Sequence, residues 1–107
     1  MLPLIGPQRL YLMQNSANLS KIGIAKNPLK RKRQLELTSG LQIDIIRCWS
    51  STEQVTAKKV EAYMHQHFAR KRLQGEWFTQ ITPKEVEMAG YDLLECNSDG
   101  TDRRRIE

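Results

Sequence analysis

The stretch RLYLMQNSANLSKIGIA, residues 9–25, decides how the rest of the chain is read. RLYLMQ (9–14) is a short run with Leu10, Leu12 and Met13, as expected of a strand. NSAN (15–18) is turn material, because Asn and Ser side chains bond their own backbone. LSKIGIA (19–25) alternates apolar with small or polar residues and reads as a second strand. Together the two predict an antiparallel hairpin. Tyr11, inside the first strand, is by default a packing residue whose hydroxyl needs a partner.

Working outward, Pro3, Gly6 and Pro7 punctuate the start, so residues 1–8 read as an arm. After the hairpin, Asn27 suits an N-cap and Pro28 the first helical position, predicting a helix over 26–37. Leu29, Leu35 and the stem of Lys32 are expected to face inward. Lys30, Arg31, Arg33 and Gln34 face out or toward a groove. TSG (38–40) ends the helix, with Gly40 supplying the turn. LQIDIIRCWS (41–50) is the clearest strand. Ser51 or Thr52 then caps the longest helix, over 53–70, and Ser51 with Gln54 fits a capping box. Ala57, Val60, Met64 and Phe68 form its apolar stripe. RKRLQGEWFTQI (70–81) reads as a basic turn, then Gly75, then a short strand at EWFTQI. Thr82 and Pro83 open a last short helix that stops at Gly90. Residues 96–107 read as a polar tail, after an extension over 81–95.

The predicted order is β-β-α-β-α-β-α. It implies one α/β (α+β) domain, a small, mostly antiparallel sheet flanked by helices. A chain of 107 residues with 39% hydrophobic residues has room for one modest core. No apolar run approaches the roughly 20 residues of a membrane helix, and the N-terminus does not read as a signal peptide. Cys48 and Cys96 follow no metal spacing, which favours a reduced, cytoplasmic setting.

Charge is more informative. Seventeen Lys+Arg against twelve Asp+Glu give +5 and a pI near 9.5. Such a balance favours a polyanionic partner. The basic residues crowd 26–33 and 70–72. If both clusters share a face, Lys26, Lys30, Arg33, Arg70, Lys71 and Arg72 make a phosphate-binding surface.

KVEAYMHQHF (59–68) holds the residue that most needs a reason. Glu61 sits beside the apolar stripe. Such a carboxylate is either paired in a structural salt bridge or holds a cation such as Mg²⁺ together with a substrate phosphate. His65 lies one turn further and shares its face, whereas His67 faces elsewhere and HQH is no zinc pattern. Trp77 and Phe78 read as packing residues or, more sharply, as platforms for bases.

As a constellation these residues resemble the GIY-YIG nuclease superfamily, and within it a small phage-type branch in which KIG stands for YIG and the end reads GEWF. The likeness runs over about residues 9–80, the expected nuclease domain. LYLM (10–13) places Tyr11 at the first motif's tyrosine, and KIG (21–23) places Gly23 at the second motif. NPLKR (27–31) puts Arg31 at the catalytic arginine. VEAYMHQHFARKRLQGEWF (60–78) carries Glu61, His65, Phe68, Arg72, Gly75, Glu76, Trp77 and Phe78 in the branch's order. The resemblance implies a metal-dependent DNA endonuclease. Glu61 would bind Mg²⁺ or Mn²⁺, Arg31 would steady the phosphate, and Tyr11 with Lys21 or His65 would manage protons. The chain departs from the superfamily at Lys21, which replaces a tyrosine, at Ala25, where Ser or Thr is common, and in lacking an evident late asparagine. The alternatives are a catalytically inactive nucleic-acid-binding module on the same fold, or a small phage-type protein-interaction protein. With no second DNA-reading domain in view, the expectation is weak intrinsic specificity, or specificity gained from a homodimer or a protein partner.

Overall fold

The computed structural model describes residues 8–51, 55–74, 77–91 and 93–95. The predicted hairpin is present as β1 (Arg9–Asn15) and β2 (Ser20–Ala25), joined in the register Tyr11 opposite Gly23 and Met13 opposite Lys21. Its turn is built by Asn15, whose Oδ1 accepts from the Ala17 and Leu19 amides at 2.9 and 3.0 Å. Asn18 takes the left-handed conformation, φ 64°, which Asn tolerates better than most residues.

Helix α1 (Pro28–Ser39) starts as its chemistry dictates: Asn27 accepts from the Lys30 amide, Pro28 opens the first turn, and Gly40 closes the helix at φ 75°. β3 (Ile43–Ser51) then pairs antiparallel with β1. The register shifts between Leu12 and Met13, which face Arg47 and Ile45. Ile46 is therefore the extra residue of a bulge, and it is exposed. The bulge reverses which residues of β3 face each side. Ile43, Ile45 and Cys48 pack with Tyr11 and Met13, while Trp49 joins Leu10 and Leu12 on the opposite face.

Helix α2 spans Ala57–His67 with Thr56 as N-cap, its side chain accepting from the Lys59 amide. The expected start at 53 with a Ser51 cap is thus corrected. Ser51 is the last residue of β3, drawn into the sheet by pairing with Leu94. Gln54, its expected capping partner, lies outside the described residues. A 3-10 turn at Ala69–Lys71 leads into β4 (Arg72–Gln74), where only a basic turn was expected. β5 (Trp77–Phe78) is shorter than the EWFTQI strand anticipated. α3 (Pro83–Ala89) begins with a full capping box between Thr82 and Glu85. β6 (Leu94–Glu95) was not foreseen.

The strands form a six-stranded antiparallel sheet in the order β4-β5-β2-β1-β3-β6. The expected fold class holds. Both outer strands are very short, which limits edge-to-edge association. α1 covers one face through Leu35, over a small cluster of Tyr11, Met13 and Ile43. No residue of α1 is fully buried, and Leu29, expected inward, is 51% exposed. α2 and α3 cover the other face, where the main core gathers Leu10, Leu12, Ile22, Trp49, Val60, Met64, Phe68, Phe78 and Val86. α3 is tied down by Glu87, whose Oε2 accepts from Trp49 Nε1 at 3.0 Å and Arg47 at 2.8 Å. Residues 1–7 of the expected arm (1–8) and the tail (96–107) lie outside the described residues.

Candidate functional site

β2 is the strand on which the candidate residues converge. β5 pairs with it only at Ser20 and Lys21. Among the described residues, 22–25 pair with no strand on that side.

From the α1 face come Tyr11 and Lys21. Tyr11 is buried, and its ring lies across Gly23. A Cβ at Gly23 would stand 2.6 Å from Tyr11 Cζ and closer still to the hydroxyl oxygen. Only glycine leaves room for that ring, which explains the G of KIG. The tyrosine is not simply buried in apolar packing. Its ring crosses the neighbouring strand, carrying the hydroxyl toward the open edge. Lys21, two residues along the same face, is 4% exposed, with Nζ 5.6 Å from the centre of the Trp77 ring. Trp77 is directly opposite Lys21 in β5.

Arg31 reaches the same side from α1. It is one turn before Leu35 and on the same helix face, and Leu35 packs against the Tyr11 cluster. Its guanidinium lies 3.5 Å from Gln34 Oε1. It is half-buried one turn into α1, within six residues of the end of β2.

From the other face comes α2. At 3.6 residues per turn, Ala57, Val60 and Met64 form its buried stripe. Glu61 and His65 form one flank of that stripe, both half-buried. His65 Nε2 lies 2.7 Å from the Ile22 carbonyl oxygen. A carbonyl only accepts, so Nε2 carries the proton in this bond. The ring also leans on Phe78, centroids 5.4 Å apart. His65 therefore docks α2 on β2 just where β5 has ended, and only its Nδ1 remains for proton transfer. Glu61, one turn earlier, rides on that docked flank. Tyr11 and Lys21 thus lie on the face that α1 covers, and Glu61 and His65 belong to the helix that packs on the other.

The basic residues divide in the same way. Lys26, Lys30 and Arg33 are exposed on or just before α1. Arg70, Lys71 and Arg72 follow α2, on the opposite side of the sheet, so the two clusters do not share a face. Lys71 has structural partners: its Nζ donates to Glu85 at 2.9 Å and to the Gln80 carbonyl at 3.0 Å. Arg72 lays its guanidinium 5.8 Å over the Phe78 ring. Two carboxylates are held below the usual range. For Glu36 the cause is first the Ile43 amide and then Lys32. For Glu85 it is first the Thr82 amide and then Lys71. Both belong to the scaffold.

Among the described residues no group of three or more His, Cys, Asp or Glu side chains could hold a metal ion. A closed, all-protein site of the zinc kind does not fit them. A hard cation that keeps most of its water, and takes one carboxylate plus substrate phosphate, does fit Glu61. No helix among the described residues is long and apolar enough to cross a membrane.

Compared with known proteins, the chain matches one family model, the T5orf172 domain, over residues 8–89. No curated protein and no solved structure matches it.

Proposed function

Because this chain belongs to the T5orf172 domain family, a phage-associated domain related to nuclease-like folds, we propose that it is a metal-dependent DNA endonuclease of the GIY-YIG type. The observation that carries this reading is the Tyr11 ring lying across Gly23 toward the open stretch of β2, along which His65 docks the flank bearing Glu61. On this reading a phenol, a guanidinium and a carboxylate would act together beside β2.

Each residue has a task that its chemistry suits. Arg31 presents a planar set of donors to the scissile phosphate and stands ready for the negative charge that develops there. The Tyr11 hydroxyl would orient the attacking water by hydrogen bonding. Lys21, its Nζ 5.6 Å from the centre of the Trp77 ring, stands in for the second motif's tyrosine as the group that would meet the leaving oxygen. His65 positions the helix through Ile22. Glu61 would hold Mg²⁺ or Mn²⁺, and the bound cation would neutralise phosphate charge and polarise the phosphoryl oxygen. The exposed cations Lys26, Lys30 and Arg33 would hold the DNA backbone without reading sequence.

A second reading, a binding module without catalysis, is favoured by Lys21, which occupies a motif tyrosine's place and is buried against Trp77. Supercoiled plasmid incubated with the protein across Mg²⁺ and Mn²⁺ separates the two. Metal-dependent nicking supports the endonuclease. Intact plasmid, together with duplex affinity that falls steeply with salt, supports the binding module. Intact plasmid and no salt-dependent affinity overturn both.

A further inference from the structure

The other flank of α2 carries different chemistry. Tyr63 and His67 stand one turn apart, with rings stacked at 5.9 Å between centroids and 26° between planes. His67 in turn meets Phe68 edge-on at 4.8 Å. The three rings make a staircase from solvent to core: Tyr63 is 42% exposed and Phe68 is 6% exposed. Beside its lower steps lies a pocket of about 390 Å³ between α2 and α3, lined by His67, Phe68, Thr82, Lys84, Met88 and the Glu85 carboxylate. That volume is within the roughly 300–1,000 Å³ of sites for small planar ligands. The carboxylate at its rim is already engaged by Lys71 and the Thr82 amide.

Cations surround the staircase. Lys59 and Arg70 are on the same helix flank or its continuation, and Lys84 lines the pocket from α3. All three are exposed and form no ion pair among the described residues. Apolar ring faces interleaved with unpaired cations suit a strand whose bases stack while its phosphates are neutralised. Base-paired DNA buries its ring faces and cannot use such a surface.

We propose that this α2–α3 pocket is a subsite for an unpaired base of single-stranded DNA, seated against His67, the lining ring that Tyr63 backs, with Lys59, Arg70 and Lys84 on the flanking phosphates. The inference rests on the nucleic-acid reading above but uses the flank of α2 away from Glu61. An endonuclease that holds one strand here engages frayed, flapped or branched DNA in preference to intact duplex.

Fluorescence anisotropy with a labelled mixed-sequence 12-mer, single-stranded and as duplex, tests it. Tyr63→Ala is expected to weaken single-strand binding about tenfold or more. It leaves duplex binding and plasmid nicking unchanged, and Tyr63→Trp retains the single-strand affinity. Because Tyr63 is largely outside the core, thermal melting of Tyr63→Ala should match wild type. Equal single-strand affinity of Tyr63→Ala and wild type overturns the subsite while leaving the endonuclease reading intact. So does a loss of affinity that tracks a loss of self-association in sedimentation, which makes the patch a contact between copies. Loss of plasmid nicking in Glu61→Ala with unchanged single-strand binding supports both assignments as separate sites.

Discussion

β2 is one six-residue strand with two unlike halves. At Ser20 and Lys21 it is covered: β5 pairs with it, the Ser20 hydroxyl accepts from the buried Ile81 amide at 2.9 Å, and Lys21 is closed over by Trp77. From Ile22 onward the same side is free of strand pairing among the described residues. There a histidine from α2 takes up the Ile22 carbonyl and a tyrosine ring crosses at Gly23. In the covered half Ser20 belongs to the scaffold, and Lys21 stands at the border between the halves. The open half is where side chains from both faces of the sheet can reach one another and a substrate.

Substitutions sharpen the contrast. Gly23→Ala should have the largest effect on the open half. The added methyl collides with the rigid, buried Tyr11 ring, and overpacking of this kind costs about 1–3 kcal/mol. It should lower the melting temperature and abolish nicking together, since the displaced ring is the proposed catalytic one. Unchanged melting would show that the ring has another place to go. Ser20→Ala acts on the covered half. It leaves the Ile81 amide buried without an acceptor, a loss of about 1–2 kcal/mol, measured by urea unfolding. Once the protein is folded, its nicking rate should be close to wild type. His65→Ala removes the dock between α2 and β2, costing about 1 kcal/mol. His65→Gln, which restores a donor toward Ile22, should recover stability and most activity. Failure of Gln to rescue activity would assign His65 to chemistry rather than positioning.

The smallest effect lies far from β2. Glu36 and Glu85 are held below the ordinary glutamate range, so their folded forms favour the carboxylate. Their stabilising contribution is present above about pH 4.3, the unfolded value, and is lost as pH falls through the lowered folded values. The melting difference between wild type and Glu36→Gln should therefore shrink from pH 7 to pH 3. A difference that grows on acidification would reverse the sign of this linkage.

Much of this was legible in the sequence where the physics is local. Asn27, Pro28 and Gly40 bound α1 as expected, because caps and φ restrictions act within a few residues. The hairpin followed from alternation and turn chemistry, and with it the pairing that puts Tyr11 and Lys21 on one face. The i,i+4 relation of Glu61 and His65 was equally direct. What escaped depends on distant partners. Ser51 looks like a helix cap until Leu94 pairs with it. β4 and β6 are too short to show any alternation, and exist because neighbouring strands supply hydrogen bonds. Leu29 fits an apolar stripe, yet α1 covers only a thin cluster and leaves it outside. The two basic clusters look like one surface in a linear reading, but the helices that carry or precede them pack on opposite faces of the sheet. His65 could not be recognised as a dock, since nothing in the sequence points to the Ile22 carbonyl. The Tyr63–His67 stack was not read from the sequence, and its pocket needed α3 to form.

The most direct test of the account is the nicking of supercoiled plasmid in Mn²⁺ by wild type and Glu61→Ala, with both proteins shown to melt alike. The account predicts open-circular product from wild type and at least about a hundredfold slower conversion by the variant, the scale of losing one group that acts on charge in the transition state. Equal rates from the two proteins, or intact plasmid from both, would contradict a catalytic site at the open edge of β2.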